Sequence, residues 1–238
     1  MPPRKLPRIL VGTSGFSYAA WRGSFYPEDV PAAGMLRYYA GVFQTVEINH
    51  SFYRLPTPAL LASWRRETPP TFRFALKAPQ RITHQLRLKD ATDVTQRFVG
   101  LAATLGDQCG PLLFQLPPHL RADLVRLDEF LAVLPPHTDA AFEFRHPSWF
   151  EEPVFEALRA HAAALVWADS EKTPVGESAV ATASWGYLRL RRQDYDAEAV
   201  AAWADRIRAQ AWSDAWVFFK HEDAGTGPAL ATRLLELV

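Results

Sequence analysis

Charged side chains stand at the carboxyl ends of several short apolar runs in this chain. Glu47 lies near the end of one run, Lys77 ends the next, and Glu143 and Arg145 share one face of a later run, because side chains of an extended strand alternate with a period of two. Carboxylates beside ammonium or guanidinium groups suit proton transfer and the binding of anions. Asn49 shares the run and the face of Glu47, and the same position in other runs is held by Gln115, Asp169, Arg189, Arg191 and Lys220.

The elements that must position these side chains alternate regularly. Eight runs rich in β-branched, aromatic and aliphatic residues predict strands, and the segments between them have helical periodicity. The predicted strands are Ile9–Gly12, Thr45–Asn49, Arg73–Lys77, Pro111–Leu116, Ala140–Arg145, Ala163–Asp169, Trp185–Arg191 and Ala215–Lys220. The predicted helices are Met35–Phe43, Ala59–Arg66, Ala91–Leu105, Asp123–Leu134, Val154–Ala162, Glu198–Gln210 and Ala229–Val238.

Eight βα units predict a single α/β domain, the (β/α)8 or TIM barrel. A doubly wound sheet is disfavoured because no G-x-G-x-x-G or Walker-type loop follows a predicted strand. Residues 1–8 are predicted to form a basic N-terminal tail, and residues 9–238 the barrel. The first βα loop, from Gly15 to Pro31, is long and rich in aromatic residues, and the connection from Glu171 to Ser184 is polar, so that its helix is expected to be short or missing.

The barrel places the charged strand ends at one mouth. In TIM barrels the carboxyl ends of the strands carry the active site, and charges elsewhere in a strand are costly unless they are paired. A binding or catalytic mouth is therefore the preferred interpretation. The alternative is a structural plug, in which these charges only pair with each other.

Composition restricts the classes of partner. The chain has 238 residues with 26 acidic and 26 basic side chains, so net charge gives no support to nucleic-acid or membrane-surface binding, although a local patch stays possible. The single cysteine, Cys109, excludes a disulfide within the chain and favours a reducing compartment, and no apolar run reaches the length of a membrane span. We expect a cytoplasmic protein.

Five motifs together resemble the YecE-like family, a widespread group of unknown function. They are Gly12-Thr-Ser-Gly-Phe-Ser-Tyr18 with Phe25-Tyr-Pro27, Val46-Glu-Ile-Asn49 with Phe52-Tyr-Arg-Leu-Pro56, Phe72 to Lys77 with Thr83-His84, Leu113-Phe-Gln-Leu-Pro117, and Glu143-Phe-Arg-His-Pro-Ser-Trp149. The resemblance covers nearly the whole chain. It implies a TIM barrel and no established activity.

The resemblance also implies a set of pocket residues. The matching positions are Ser14, Glu47, Asn49, Tyr53, Lys77, His84, Gln115, Glu143, Arg145, His146, Trp149 and Asp169. Two positions depart from the family pattern. Arg191 stands in the seventh strand where a histidine is frequent, and His221 follows the eighth where an asparagine is frequent, so any role of these two family positions is in doubt here.

We predict an enzyme that binds a small anionic substrate, phosphorylated or carboxylated, and acts on it by acid–base chemistry. The predicted catalytic residues are Glu47, Lys77, Glu143, Arg145 and Asp169. The predicted substrate-binding residues are Ser14, Asn49, Tyr53, His84, Gln115, His146, Trp149, Arg189 and Lys220. In this hypothesis Glu143 and Glu47 exchange protons while Lys77 and Arg145 hold or polarise the anion.

Two other functions stay open. Carboxylates with His146 and His221 suit a divalent metal in a hydrolase or phosphodiesterase, but the nearby lysines and arginines would repel a cation, and no metal or other cofactor is predicted. A non-catalytic module that binds a ligand or a nucleic-acid end is the second alternative. Reaction type and oligomeric state do not follow from the sequence.

Overall fold

The computed structural model describes residues 6–170 and 179–238. Within these ranges lie eight strands and seven α-helices in alternation. The strands are β1 (Arg8–Thr13), β2 (Thr45–Ile48), β3 (Arg73–Lys77), β4 (Cys109–Gln115), β5 (Ala140–Glu143), β6 (Ala164–Asp169), β7 (Gly186–Leu190) and β8 (Asp214–Phe219). The helices are α1 (Met35–Val42), α2 (Pro58–Glu67), α3 (Thr92–Ala103), α4 (Leu124–Ala132), α5 (Glu152–Ala160), α6 (Ala197–Arg208) and α7 (Thr226–Leu235).

All neighbouring strands run parallel, in the order β1-β8-β7-β6-β5-β4-β3-β2. The two ends of this sheet meet where Ser14 forms a parallel bridge with Glu47, and the Gly15 amide donates to the Glu47 carbonyl oxygen at 2.8 Å. The chain is thus a single (β/α)8 barrel, which confirms the predicted fold.

Apolar side chains fill the barrel interior in alternate positions of the strands. One buried cluster joins Leu10, Ala75, Leu113, Ala141, Ala164, Val166, Tyr187, Trp216 and Phe218, while the neighbouring positions pack outward against the helices. Because the side-chain period is two, the positions that follow this interior layer also point into the barrel, nearer its carboxyl-end mouth. Those positions include Glu47, Lys77, Gln115, Glu143 and Arg189.

The helices form where apolar periodicity and capping residues agree. Thr57, Asp123 and Asp196 each accept a hydrogen bond from the backbone amide three residues later, which satisfies a free donor at the start of α2, α4 and α6. Helix α7 begins at Thr226, three residues earlier than predicted, with Pro228 in its first turn. No helix of the described ranges is long and apolar enough to cross a membrane.

The long first loop folds back on itself through its aromatic residues. Trp21 and Tyr26 are 0% and 1% exposed, and their rings stack at 6.2 Å. Residues 1–5 of the predicted tail and residues 171–178 of the sixth connection lie outside the described residues. Arg8, assigned to the tail by sequence, begins β1 and pairs with Asp214 on β8.

Candidate functional site

Glu47 lies at the carboxyl end of β2 and is completely buried. Its Oε1 accepts hydrogen bonds from Ser14 Oγ at 2.7 Å, Asn49 Nδ2 at 2.9 Å and Arg189 Nη2 at 2.7 Å. Its Oε2 accepts one from the Tyr187 hydroxyl at 2.8 Å. An ionised carboxylate offers about four acceptor sites. Glu47 is therefore saturated by donors from three different strand ends.

Glu143 ends β5 and is 1% exposed. Its Oε1 accepts from Gln115 Nε2 at 2.8 Å and Arg145 Nε at 3.3 Å. Its Oε2 accepts from Arg189 and from Arg191 Nη2 at 2.8 Å. Arg189 thereby bridges the two carboxylates, and Glu143, like Glu47, has four donors.

Both carboxylates are held in their charged form. Burial by itself would raise the pKa of Glu47, but the Arg189 charge and the hydrogen bonds from Arg189, Ser14 and Asn49 outweigh it and place the pKa below its ordinary 4.5. Burial acts in the same way on Glu143, and there the charges of Arg189 and Arg145 bring the pKa below 4.5. With low pKa values and no spare acceptor site, the two carboxylates are poorly suited to the proton exchange that the sequence suggested for them.

Lys77 occupies a different environment at the end of β3. Its Nζ donates to Gln115 Oε1 at 2.8 Å and lies 4.2 Å from the centroid of the Phe52 ring. Burial, followed by the positive charge of Arg189, lowers the pKa of Lys77 to about 8. Among the described residues, no carboxylate lies within ion-pair distance of this ammonium group. The pKa of Lys77 is thus brought toward neutral pH by its surroundings.

One continuous set of hydrogen bonds, here called the Glu47–Glu143 network, joins eight of the predicted site residues. They are Ser14, Glu47, Asn49, Lys77, Gln115, Glu143, Arg145 and Arg189, together with Tyr187 and Arg191. As described, it contains four basic side chains and two acidic ones. The acidic pair is buried, whereas the side chains of Arg145 and Arg191 are 33% and 16% exposed and Lys77 is half-buried. Positive charge therefore predominates on the side of the network that solvent reaches.

Asp169 ends β6 outside this network. It follows the outward-facing positions Leu165 and Trp167 by the two-residue period, whereas Val166 belongs to the interior cluster. Its carboxylate accepts a hydrogen bond from the Tyr195 hydroxyl at 2.8 Å. The strand period explains why Asp169 is separated from Glu47 and Glu143.

Other predicted binding residues lie around the network without joining it. Tyr53 is 72% exposed and packs edge-on against Phe52, whose ring also contacts His84. Burial and the charges of Lys77 and Arg145 lower the pKa of His84 to about 4, so that its imidazole is neutral at pH 7. Lys220 is exposed and lies 3.7 Å from Glu222.

His146 and Trp149 shape the loop after β5. His146 Nδ1 accepts from the Ser148 amide at 3.1 Å and so caps the short helix Pro147–Trp149. Trp149 is 0% exposed, donates from Nε1 to the Leu120 carbonyl at 2.7 Å and stacks on Phe144. In this conformation Trp149 has no surface to offer a ligand, and it supports the loop that carries Arg145.

Four residues of this region are not among the predicted catalytic or substrate-binding residues. Tyr187 precedes Arg189 by two positions on the same face of β7, so its polar hydroxyl in an apolar strand was a usable signal. Arg191 continues that face, and its guanidinium reaches Glu143 although it departs from the family pattern. No sequence signal identified Phe52 as the partner of Lys77 or Tyr195 as the partner of Asp169.

The donor set does not favour a divalent metal. In residues 6–170 and 179–238, no group of three or more histidine, cysteine, aspartate or glutamate side chains is arranged to hold an ion. Glu47 and Glu143 already accept four hydrogen bonds each, and His221 directs Nε2 to the Arg192 carbonyl. Glu47 and Glu143 would have to lose hydrogen bonds from their arginine partners to bind a metal.

Comparison with known proteins gives consistent matches along the chain. The family described as "Protein of unknown function DUF72" matches residues 10–238. The UPF0759 protein YecE of Escherichia coli K12 is 29% identical over 231 residues, covering 84% of each chain. The UPF0759 protein YunF of Bacillus subtilis 168 is 28% identical over 184 residues, covering 73% of this chain and 64% of YunF.

Two solved structures share the architecture. The crystal structure of a DUF72 family protein from Thermotoga maritima superposes with a TM-score of 0.84 at 26% identity, over 97% of this chain and 98% of that one. One from Enterococcus faecalis superposes with a TM-score of 0.78 at 17% identity, over 96% and 94% of the two chains, and shows the fold alone.

Proposed function

This chain belongs to the DUF72 family, as its YecE-like motifs predicted. From the residues at the mouth of the barrel, we propose that this mouth binds a small phosphorylated or carboxylated substrate. Lys77 exchanges a proton with that substrate, and Arg145 and Arg191 hold its anionic group. The location of the protein in the cytoplasm and its division into residues 1–8 and 9–238 stay predictions.

The observation that carries this proposal is the uneven exposure of charge in the Glu47–Glu143 network. The carboxylates lie beneath, saturated, while Lys77, Arg145 and Arg191 reach toward solvent. A guanidinium that already pairs with a carboxylate is held in place, so little conformational entropy is lost when it binds an anion. Glu47 and Glu143 thus act as fixed anions that orient the arginines.

Lys77 is the group best suited to proton transfer. Efficient acid–base catalysis needs a pKa near the working pH, and the pKa of Lys77 is lowered to about 8 by burial and by Arg189. His84 contacts the same Phe52 ring as Lys77, and its neutral imidazole adds no further positive charge beside the amine. We therefore assign the proton exchange to Lys77 and no longer to Glu47 and Glu143.

Calorimetric titration with succinate and with inorganic phosphate tests the proposed site. We expect saturable binding of at least one of them by the wild-type protein, with affinity lowered at least tenfold in Lys77→Met and in Arg145→Met. Lys89→Met is the matched control, because Lys89 is exposed and takes no part in the network. Equal affinities in Lys77→Met and Lys89→Met would remove Lys77 from the site.

The saturation of both glutamates favours one second function, the binding of an anion without turnover. In that case Lys77 serves only as a positive charge. Incubation of the protein with succinate, oxo acids and phosphate monoesters, followed by proton NMR, separates the two functions. Substrate signals that change with time support catalysis, and bound but unaltered ligands support the binding module.

A further inference from the structure

We propose that Lys77 forms an imine with the carbonyl carbon of a small oxo acid whose carboxylate is held by Arg145 and Arg191. This inference rests on the proposed anion site and names the class of its substrate and the chemical step. The groups that it requires are an amine free of an acidic partner, a nearby carboxylate holder and an apolar wall that limits water.

The amine is available because the acidic residues near it are already occupied. Lys77 Nζ has a neutral amide, Gln115 Oε1, as its hydrogen-bond acceptor at 2.8 Å. The Phe52 ring covers it at 4.2 Å and provides the apolar wall. No ion pair has to be broken for the nitrogen to react, in contrast to Arg145, Arg189 and Arg191, which all contact Glu143.

Two side chains of the network, Gln115 and Glu143, link the amine to the carboxylate holder. Gln115 contacts Lys77 through Oε1 and Glu143 through Nε2, both at 2.8 Å, and Arg145 contacts the same oxygen of Glu143 at 3.3 Å. Lys77 and Arg145 are therefore held at the two ends of the Gln115–Glu143 link, and the positive charge of Arg145 is near enough to act on the pKa of Lys77. In the proposed complex, a short ligand with a carboxylate next to its carbonyl group contacts both.

The step balances without any further reactant. The lone pair of neutral Nζ forms a bond to the carbonyl carbon, and the carbonyl oxygen takes up a proton to give a carbinolamine. Loss of that hydroxyl as water, with one more proton, leaves a carbon–nitrogen double bond. From the ammonium form the sum is ammonium plus carbonyl giving iminium plus water, so the positive charge is conserved.

The environment of Lys77 favours the attack of its amine on the carbonyl carbon. A lysine in partly apolar surroundings beside other cations carries a larger fraction of the nucleophilic neutral amine. The lowered pKa of about 8 agrees with this. Neutral His84, on the same Phe52 ring, adds no positive charge beside the amine, and the proton released from nitrogen reaches the departing hydroxyl through solvent.

The test is reductive trapping with sodium cyanoborohydride, using pyruvate as the oxo acid and acetone as a carbonyl compound without a carboxylate. Peptide mass spectrometry locates the adducts, and Lys89 and Lys220, both exposed, are the internal controls. We expect the pyruvate adduct at Lys77 to form at least tenfold faster than at either control lysine. Acetone should show a much smaller preference for Lys77.

Arg145→Met separates the amine from the carboxylate holder. In this variant the preference of Lys77 for pyruvate over acetone should fall to that of Lys89, while the amine of Lys77 stays reactive. A preference unchanged from wild type would overturn the assignment of the carboxylate holder.

Labelling of Lys77 no faster than of Lys89 overturns the imine. Titration of the same preparation with succinate then distinguishes the two proposals. Retained succinate binding that depends on Lys77 means that the imine alone is wrong, and loss of both means that the anion site is wrong as well.

Discussion

Arg189 is the residue on which the buried charges of the mouth depend. It is 1% exposed and bridges Glu47 and Glu143, which are also buried. Charges of opposite sign in a barrel interior are tolerable as a set, but removal of one partner leaves the others without compensation. The structural plug and the proposed anion site would then be two layers of one arrangement. The charges of the lower layer pair with each other, and the basic side chains of the upper layer face solvent.

Arg189→Met should lower the free energy of unfolding by about 3–5 kcal/mol, because two buried carboxylates lose their shared partner. The measurement is urea unfolding followed by circular dichroism. Arg159→Met is the control, since the Arg159–Glu152 pair is largely exposed and its loss should change the free energy by at most about 1 kcal/mol. Equal losses in the two variants would contradict a special role for Arg189.

The same residues predict how stability depends on pH. The pKa of Glu47 and that of Glu143 are lower in the fold than the ordinary 4.5. Their stabilisation is therefore complete above pH 4.5 and is lost as the pH falls to and through the lower folded values, because over this range the unfolded protein binds more protons than the folded protein. The slope of unfolding free energy against pH below 4.5 should be shallower in Glu47→Gln than in wild type. A wild-type slope in Glu47→Gln would show that this carboxylate is not stabilised by folding.

At the scale of elements, closure of the barrel between β1 and β2 depends on a glycine. A Cβ atom at Gly12 would lie 2.1 Å from the Thr45 carbonyl oxygen, a backbone atom of β2. The two strands approach closely there, and two residues later Ser14 reaches Glu47. The seam of the barrel and the start of the Glu47–Glu143 network thus depend on the same close contact.

Gly12→Ala should destabilise the protein by about 3 kcal/mol or more, because a backbone contact cannot relax as a side chain can. Gly100→Ala makes the same change within α3, where nothing lies within 4 Å of the added carbon, and should stabilise by up to about 1 kcal/mol. Thermal unfolding of both variants gives the comparison. A neutral Gly12→Ala would mean that β1 and β2 are not held at this distance.

The predicted strands match the observed ones closely because a parallel barrel strand is apolar along its length and bounded by polar residues. The ends differ by one or two residues: β5 ends at Glu143 rather than Arg145, and β7 spans Gly186–Leu190 rather than Trp185–Arg191. At these two ends, Arg145 and Arg191, which the sequence pattern assigned to the strands, belong to the loops that follow. Asp169 was predicted as a site residue because it ends a strand, but the alternation of side chains along β6 was not considered. Val166 faces the interior and Trp167 faces the helices, so Asp169, two residues after Trp167, also points away from the interior. Which donor meets which carboxylate depended on distances between strands far apart in sequence, such as Glu47 and Arg189, and no local pattern contains these.

At the scale of the whole molecule, the balance of charge makes the mouth distinctive. The chain carries 26 acidic and 26 basic residues, so no general attraction of anions is expected. The local excess of Lys77, Arg145, Arg189 and Arg191 over Glu47 and Glu143 therefore has to be balanced by a bound anion or by solvent ions. Binding of an anion at the mouth can therefore be distinguished from general screening of charge by salt.

Inorganic phosphate should accordingly stabilise the folded protein in a saturable way when ionic strength is held constant with sodium chloride. A ligand that binds the folded state and not the unfolded state raises the free energy of unfolding by about 2.7 kcal/mol when its concentration is one hundred times its dissociation constant. Urea unfolding over a range of phosphate concentrations measures this gain. It should disappear in Arg145→Met and persist in Lys89→Met. An equal, non-saturating gain in both variants would indicate that phosphate acts through general exclusion from the surface, and the mouth would then have no part in it.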